Sequence, residues 1–584
     1  MVNTNTNLSS ILAVDIGSST TRALLFDIVN TKYRFIAEGS APSTAGSPFF
    51  DIAECVWQAI EDLQDKTGRM MISDAEGLII PSTMENNGVD AMVATISAGK
   101  PIRVVTVGLL QDVSISAANQ LASTINAQVV EEISLNDRRQ DQDRINLLLK
   151  TRPDLIIISG GTNGGASKSI LNLIEVVGLA GYLTKEDQKT HILYVGNEEL
   201  QEDVKDDLGK ISNLHIAPNI QPSLNQKQMY PAQKELAEIF KMIRRKQIGG
   251  MSEVLTWTDG NMTATATAFS RMIRFLSRKY EPDKGVLGID IGSRNTTIAA
   301  SFEGEETLRV LPNLGIGAGC QRILKHVQVS DITRWLPLKI PDSFVRDYVN
   351  NKSIYPDSLP ATQEELAIEH AVAREILRTT VKDILPEIPE AFQKGSLLPS
   401  VEPIIGSGSV ITQAPKRTQS LLILLDGLQP AGVTTIALDQ NGLLPSLGII
   451  SDINPLLTVQ VIETSTFLNL GTVIAPYGNA RLGTPILRMR ITRQNGEKTT
   501  RDIKYGTLSV LPTSIGEQVT LHLRPLHGFD IGMGGPGKAG KVSAVGGSLG
   551  IIIDARGRPL RFSPDPEKNR KRAKKWITSL EKFA

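Results

Sequence analysis

With 584 residues the chain is too long for a single core and calls for about two to four domains. Lys and Arg together number 62, as do Asp and Glu, so no global charge points to nucleic acid or to an anionic membrane. The only two cysteines, Cys55 and Cys320, lie too far apart in sequence for a disulfide framework or a zinc motif, which fits a reducing compartment.

The first ten residues, MVNTNTNLSS, are polar and lack the basic and apolar stretches of a leader. No apolar run reaches the roughly 20 residues that span a bilayer, so a cytoplasmic protein without a transmembrane segment is expected. Residues 11 to 40 then predict two paired strands, ILAVDIG and RALLFDI, around the turn SSTT. A polar stretch follows, and a helix starts near Asp51. From Gly68 to about residue 200, short apolar strands such as IRVVTVGLL, DLIIISGG and THILYVGN alternate with helical patterns. Strands apolar on both faces between helices predict an open parallel sheet covered on both sides. Helical segments around residues 233 to 280 lead to VLGIDIGSRNTTIAAS, and ATQEELAIEHAVAREILRTTVKDIL is an amphipathic helix. Beyond about residue 455 the texture changes to short β-like runs rich in Gly, ending in a basic helix.

The two Asp-Ile-Gly strands are near copies. In the first, Asp15 closes an apolar strand, Gly17, Ser18, Ser19, Thr20 and Thr21 form the turn, and Arg22 follows. In the second the counterparts are Asp290, Gly292, Ser293, Thr296 and Thr297. Gly lets backbone approach a phosphate, turn amides and hydroxyls donate to its oxygens, and a carboxylate there can hold Mg²⁺ through water. One copy alone reads equally well as a hairpin turn. A turn needs no twin, so the pair predicts two jaws around one nucleotide, with Asp15 and Asp290 as catalytic and metal-side carboxylates. A third turn, EPIIGSGSVIT at residues 402 to 412, puts Gly406 and Gly408 where a flat adenine can approach, or where a strand simply enters a helix.

This order of turns resembles the superfamily of actin, heat-shock chaperone ATPases and sugar kinases. More closely, the chain resembles the MutL/GlmL family, found beside the adenosylcobalamin-dependent glutamate mutase, over residues 10 to 455. VDIGSSTTRALLFD is similar to that family's opening phosphate motif, RPDLIIISGGTNGGASKSIL to its Gly-Gly-x-Asp-Gly-Gly segment, HILYVGNEE to its Gly-Asn strand end, and LLDGLQPAGVTTIALDQNGLLPSLG to its C-terminal lobe. The resemblance implies an α/β, two-lobed actin-like (ribonuclease H-like) ATPase fold. The first lobe would span 10–230 and include an inserted open α/β unit at about 100–200, and the second lobe would span 231–455. A β-rich domain at 456–560 and a basic terminal helix at 561–584 lie outside the resemblance. The implied function is an ATP- and Mg²⁺-dependent accessory or reactivating chaperone. Its partners would be subunits of a cobalamin-dependent mutase, and self-association is left open. In the GGTNGG segment, Gly160, Gly161, Gly164 and Gly165 either bind phosphate through their amides or make a strand-to-helix crossing.

Several positions depart from the family pattern. The second phosphate motif is one residue longer than the family's, Ser293 replaces a Gly, and Ile298 follows the two Thr where an acid is usual. Asn163 replaces the customary Asp of GGTNGG, and an amide neither holds a hydrated metal nor takes a proton well. These changes leave nucleotide binding intact and count against fast hydrolysis, so a scaffold that has lost hydrolysis is one alternative. Glu303 and Asp426 are spare acids without assigned geometry, and a small-molecule kinase of the same fold is another alternative, for which no strong catalytic Asp stands out in the C-terminal lobe. The inserted unit has the general shape of a mutase cobalamin-binding domain and is read as docking against, or standing in for, part of a mutase. Its first turn, GLLQDVSIS, has no His, so direct cobalt ligation is not expected.

The six histidines show no metal-ligand spacing, and the loop GFDIGMGGPGKAGKV lacks the Gly-Lys-Ser/Thr of a phosphate loop. The tail carries six cations between Lys568 and Lys575 beside Trp576, Ile577 and Leu580. It reads as a terminal helix that docks through Trp576 and keeps its charges in water.

Overall fold

In the computed structural model, which describes residues 8–73, 77–185, 189–280, 284–389, 392, 397–464 and 467–582, two sheets follow one plan. The N-terminal MVNTNTN lies outside the described residues. Strands β1 (Ile11–Ile16), β2 (Thr20–Val29) and β3 (Lys32–Pro42) form an antiparallel meander. A helix over Ile52–Thr67 packs on it, started by the Asp51 side chain accepting from the Ala53 amide and stopped by left-handed Gly68. A small pair, β4 (Ile72–Ser73) and β5 (Gly77–Leu78), precedes β6 (Ala91–Ile96), which runs parallel to β1.

Between β6 and the end of this sheet the chain builds a second layer. Strands β7 (Ile102–Gly108), β8 (Ala127–Ser134), β9 (Leu155–Ile158), β10 (His191–Tyr194) and β11 (Asn213–Ile216) are all parallel, in the order β8-β7-β9-β10-β11. The open α/β unit anticipated at about 100–200 therefore runs from 102 to 216. Its strands are apolar throughout because both faces are covered. Leu155 and Ile157 join the core of the first lobe, while Ile156 and Ile158 face a separate cluster under the unit's outer helices. The unit is thus fused to the lobe by a shared core.

The helix Tyr230–Gln247 returns along that shared core, and β12 (Met262–Ala264) closes the first sheet beside β6. The order is β3-β2-β1-β6-β12, so the first lobe reaches residue 264 instead of ending at 230. The second sheet repeats the order with β13 (Gly285–Ile291), β14 (Thr296–Phe302), β15 (Glu305–Leu311), β16 (Val401–Ser407) and β17 (Gly432–Leu438), as β15-β14-β13-β16-β17. Two lobes of identical strand order are the duplicated architecture of the actin-like fold.

The remaining strands are β18 (Leu468–Ala475), β19 (Pro485–Thr492), β20 (Lys498–Lys504), β21 (Leu508–Leu511), β22 (Gln518–Pro525), β23 (Gly540–Val545) and β24 (Ile551–Asp554). The expected boundary at 456 is corrected here. β18, β24 and β21 extend the second sheet to eight strands, and only β20-β19-β22-β23 form a separate antiparallel sheet. The seam is closed by buried charge. Asp426 accepts from Arg374 Nε at 2.8 Å and Arg556 Nη1 at 2.7 Å, and Asp554 accepts from Arg556 and Arg558. The C-terminal helix Pro566–Glu581 docks as its sequence predicts, with Leu580 buried, Trp576 and Ile577 packed on the second-lobe core, and Arg556 stacked 4.8 Å from the Trp576 ring. No helix among the described residues is long and apolar enough to cross a membrane.

Candidate functional site

The two Asp-Gly hairpins have the same local geometry because they have the same register. Asp15 pairs with Arg22 and Ile16 with Thr21 in the first, and Asp290 pairs with Thr297 and Ile291 with Thr296 in the second. Each loop therefore has four residues, closed by Gly17 N to Thr20 O at 3.1 Å and by Gly292 N to Asn295 O at 3.0 Å. Thr20 corresponds to Asn295, and Thr21 to Thr296. The hairpins meet at the bottom of the interlobe cleft, where Ser19 Oγ donates to Ser293 Oγ at 2.7 Å.

Asp15, Gly17, Ser18, Ser19, Thr20, Arg22, Asp290, Gly292, Ser293, Thr297 and Gly408 all line this cleft. Seven further residues named from sequence have other places. Thr21 is fully buried and donates to Cys55 Sγ, and Thr296 is fully buried and donates to the Leu314 carbonyl. Both alternate away from the cleft face of their strands. Gly406 faces the core, where an added Cβ would meet Leu424 and Ile411. The glycines 160, 161, 164 and 165 sit on the loop after β9, in the inserted unit, and are not part of the cleft lining. Asn163 is there too, accepting from the Glu198 amide and Asn219 Nδ2, while Ile298 is fully buried in the second-lobe core. Of the departures from the family pattern, Asn163 and Ile298 lie away from the cleft, while Ser293 lines it.

Gly408 is required by geometry. Its φ is +90°, and a Cβ would lie 2.2 Å from the Ile291 carbonyl oxygen, so no side chain can be placed where the third turn crosses the end of β13.

The carboxylates occupy the cleft floor. Asp15 Oδ1 accepts from Thr95 Oγ1 at 2.6 Å, at the end of β6, and from Thr265 Oγ1 at 2.9 Å, just beyond β12. Burial raises its pKa, against these two hydrogen bonds and the charge of Arg22. Asp290 is pushed up to about 7, first by burial and then by the charge of Asp15, with Asp439 adding and Arg22 and a Ser407 hydrogen bond opposing. Asp439 follows β17 and is raised to about 6 by burial, although the amides of Leu444 and Leu443 donate to its oxygens at 2.9 and 2.8 Å. Arg22 offsets all three acids and lies 3.4 Å from Glu38.

Sequence reasoning missed Thr95, Thr265, Ser407 and Asp439, which carry no motif and are brought in by strand ends distant in sequence. It also missed Asn126, Phe240 and Arg294, which line the cleft. Asp426, a spare acid in sequence, is consumed by Arg374 and Arg556. Among the described residues no cluster of His, Cys, Asp and Glu has the make-up of a metal centre by itself.

Comparison with known proteins adds identity to this geometry. Solved structures with similar segments include a diol dehydratase-reactivating factor in nucleotide-free form, 9% identical over 76% of this chain and 99% of the other, with a TM-score of 0.31. A nucleotide-free acetone carboxylase is 12% identical over 86% of this chain and 81% of the other, at 0.27. Superpositions this loose carry no functional inference. Protein MutL of Clostridium tetanomorphum is 22% identical over 351 residues, which is 55% of this chain and 73% of that protein. The family model described as MutL protein matches residues 11–466, and on that match the chain belongs to the MutL protein family.

Proposed function

We propose that the interlobe cleft binds a nucleoside triphosphate and that the chain is an ATP-dependent accessory protein for a cobalamin-dependent mutase. The observation that carries the first half is the pair of matched hairpins meeting through Ser19 and Ser293, with Asp15 and Asp290 beneath them. Turn amides and the hydroxyls of Ser18, Ser19, Thr20, Ser293 and Thr297 supply donors for phosphate oxygens from both lobes. Burial, with the charge of Asp15 adding to it, raises the Asp290 pKa, which is an arrangement a divalent cation relieves. Mg²⁺ bound there would neutralise phosphate charge. The residues position the phosphates and exclude water from the floor, the two contributions phosphoryl transfer most needs.

The second half is supported by membership of the MutL protein family, whose resemblance implies a place beside an adenosylcobalamin-dependent mutase. In this reading, nucleotide closure of the cleft moves the inserted unit, which shares the first-lobe core, and so presents a changed surface to the mutase. Leu179, Tyr182 and Leu183 are exposed at the outer end of the helix Lys168–Tyr182 and give that surface an apolar contact. The kinase alternative has no support in the cleft, whose lining carboxylates among the described residues are Asp15 and Asp290 alone.

The test is recovery of an inactivated adenosylcobalamin mutase by the purified chain with MgATP and fresh cofactor. Recovery that depends on ATP, and that falls in the variant Tyr182→Lys/Leu183→Glu while its ATP binding is unchanged, is the expected result. ATP binding without any effect on mutase recovery would refute the accessory role and favour a scaffold.

A further inference from the structure

Arg244 is among the largest fully buried side chains of the molecule, 1% exposed, on the helix Tyr230–Gln247. The other fully buried arginines of that size, Arg556 and Arg558, are each held by Asp554. Arg244 has no carboxylate partner. Its Nη1 donates to Gln247 Oε1 at 2.9 Å, whereas Nε and Nη2 are buried without any partner. A buried guanidinium with two idle donors is costly unless something else fills them.

Its surroundings lead to the cleft. The guanidinium carbon lies 4.9 Å from the centre of the Phe240 ring, and a Cβ on Gly99 would be 2.8 Å from Nη1. Phe240 lines the cleft, as does Asn126, whose Nδ2 donates to the Gly99 carbonyl and whose buried Oδ1 is also without a partner. From the opposite lobe comes Arg294, in the second hairpin loop, which lines the cleft with a buried, unpartnered Nε. The charge of Arg294 disfavours that of Arg244, so the two cations feel one another across the lobes. Asp154, whose charge favours that of Arg244, already accepts from the Arg103 amide and Gln247 Nε2.

We propose that Arg244 and Arg294 form an anion subsite where Phe240 and Asn126 line the cleft, one cation from each lobe, completed by the terminal phosphate of the bound nucleotide. This rests on the nucleotide reading of the cleft and deepens it by assigning discrimination between triphosphate and diphosphate. Without an anion the two cations push the lobes apart. With one, both donate to the same group and draw the lobes together, which couples phosphate occupancy to closure. Arg244 reaches the inserted unit through Gln247 and Asp154, so the subsite also touches the element proposed to face the partner.

The test compares MgATP, MgADP and inorganic pyrophosphate by calorimetry on the full chain and on Arg244→Met and Arg294→Ala, with thermal unfolding of each free protein. The expected result is at least a tenfold loss of ATP affinity in both variants, with ADP affinity changed less than twofold. Free Arg244→Met should unfold at an equal or higher temperature than the wild type, because an apolar chain of similar length replaces an unpaired buried charge. An arginine serving structure alone would lower that temperature and leave the ATP-to-ADP ratio unchanged, which would overturn the proposal. If the wild type binds no nucleotide, the nucleotide reading fails. Pyrophosphate binding that is lost in both variants would then still establish the anion subsite, and absence of pyrophosphate binding would overturn it as well.

Discussion

At the seam between the second lobe and the C-terminal sheets, Asp426 and Asp554 are buried with Arg374, Arg556 and Arg558, and each carboxylate receives at least two guanidinium contacts. In the interlobe cleft, Asp15 and Asp290 are buried with the charge of Arg22 opposing theirs, and behind the cleft-lining Phe240 lies Arg244, buried with two nitrogens idle. The same residue types therefore give opposite pKa behaviour. Asp554 is driven well below the ordinary carboxylate range by its two arginines, which outweigh its burial, while Asp290 is driven up. Charge that is satisfied internally fastens the molecule together. Charge left unsatisfied at the meeting point of two lobes is a place for a charged ligand.

Breaking the paired cluster should have the largest effect. Asp554→Ala leaves Arg556 and Arg558 buried without their carboxylate, and a loss of about 3–5 kcal/mol is expected in denaturant unfolding. A loss under about 1 kcal/mol would mean the seam is not electrostatically closed.

The pH dependence of stability separates the two regions next. Asp290 has a folded pKa near 7 against an unfolded value near 4, and Asp439 shifts in the same direction. A raised carboxylate binds its proton more tightly when folded. Its contribution is therefore fully present below about pH 4 and lost as pH rises through the folded value. Stability should fall by about 2–4 kcal/mol between pH 4 and 7, and Asp290→Asn should flatten most of that slope. Asp554, being depressed, contributes above its unfolded pKa and is lost only in stronger acid. A slope unchanged in Asp290→Asn would show that Asp290 is not the group titrating across this range.

Gly408→Ala should destabilise by about 1–3 kcal/mol, because a Cβ at positive φ meets the end of β13. The smallest effect is expected for Ser293→Ala, which removes the contact between the hairpins at a cost of about 0.5–1.5 kcal/mol. Both are read from denaturant midpoints at constant slope.

Much of this site was legible because the hairpins write their own geometry. An apolar strand ending in Asp-x-Gly with hydroxyls behind it specifies the turn, the backbone approach and the carboxylate together, and its repetition specifies the second lobe. The errors come from periodicity and from distance. Thr21 and Thr296 belong to the strand ladder and alternate into the core, which a loop reading does not see. The GGTNGG glycines looked like a nucleotide loop by composition, but they follow β9 of a different sheet. Thr265 lines the cleft, and Thr95, Asp439 and Arg244 lie behind its lining, only through tertiary packing, and no local pattern marks them. Likewise, the C-terminal strands could be read as β-rich, yet β18, β24 and β21 join the second-lobe sheet through pairings that span many residues.

The most direct test of the two-jawed cleft is calorimetric titration of MgATP into the wild type, Asp15→Asn and Asp290→Asn. The account predicts one site per chain in the wild type and at least tenfold weaker binding in each variant, since one site draws on both hairpins. Binding that survives either substitution unchanged, or two independent sites per chain, would contradict it.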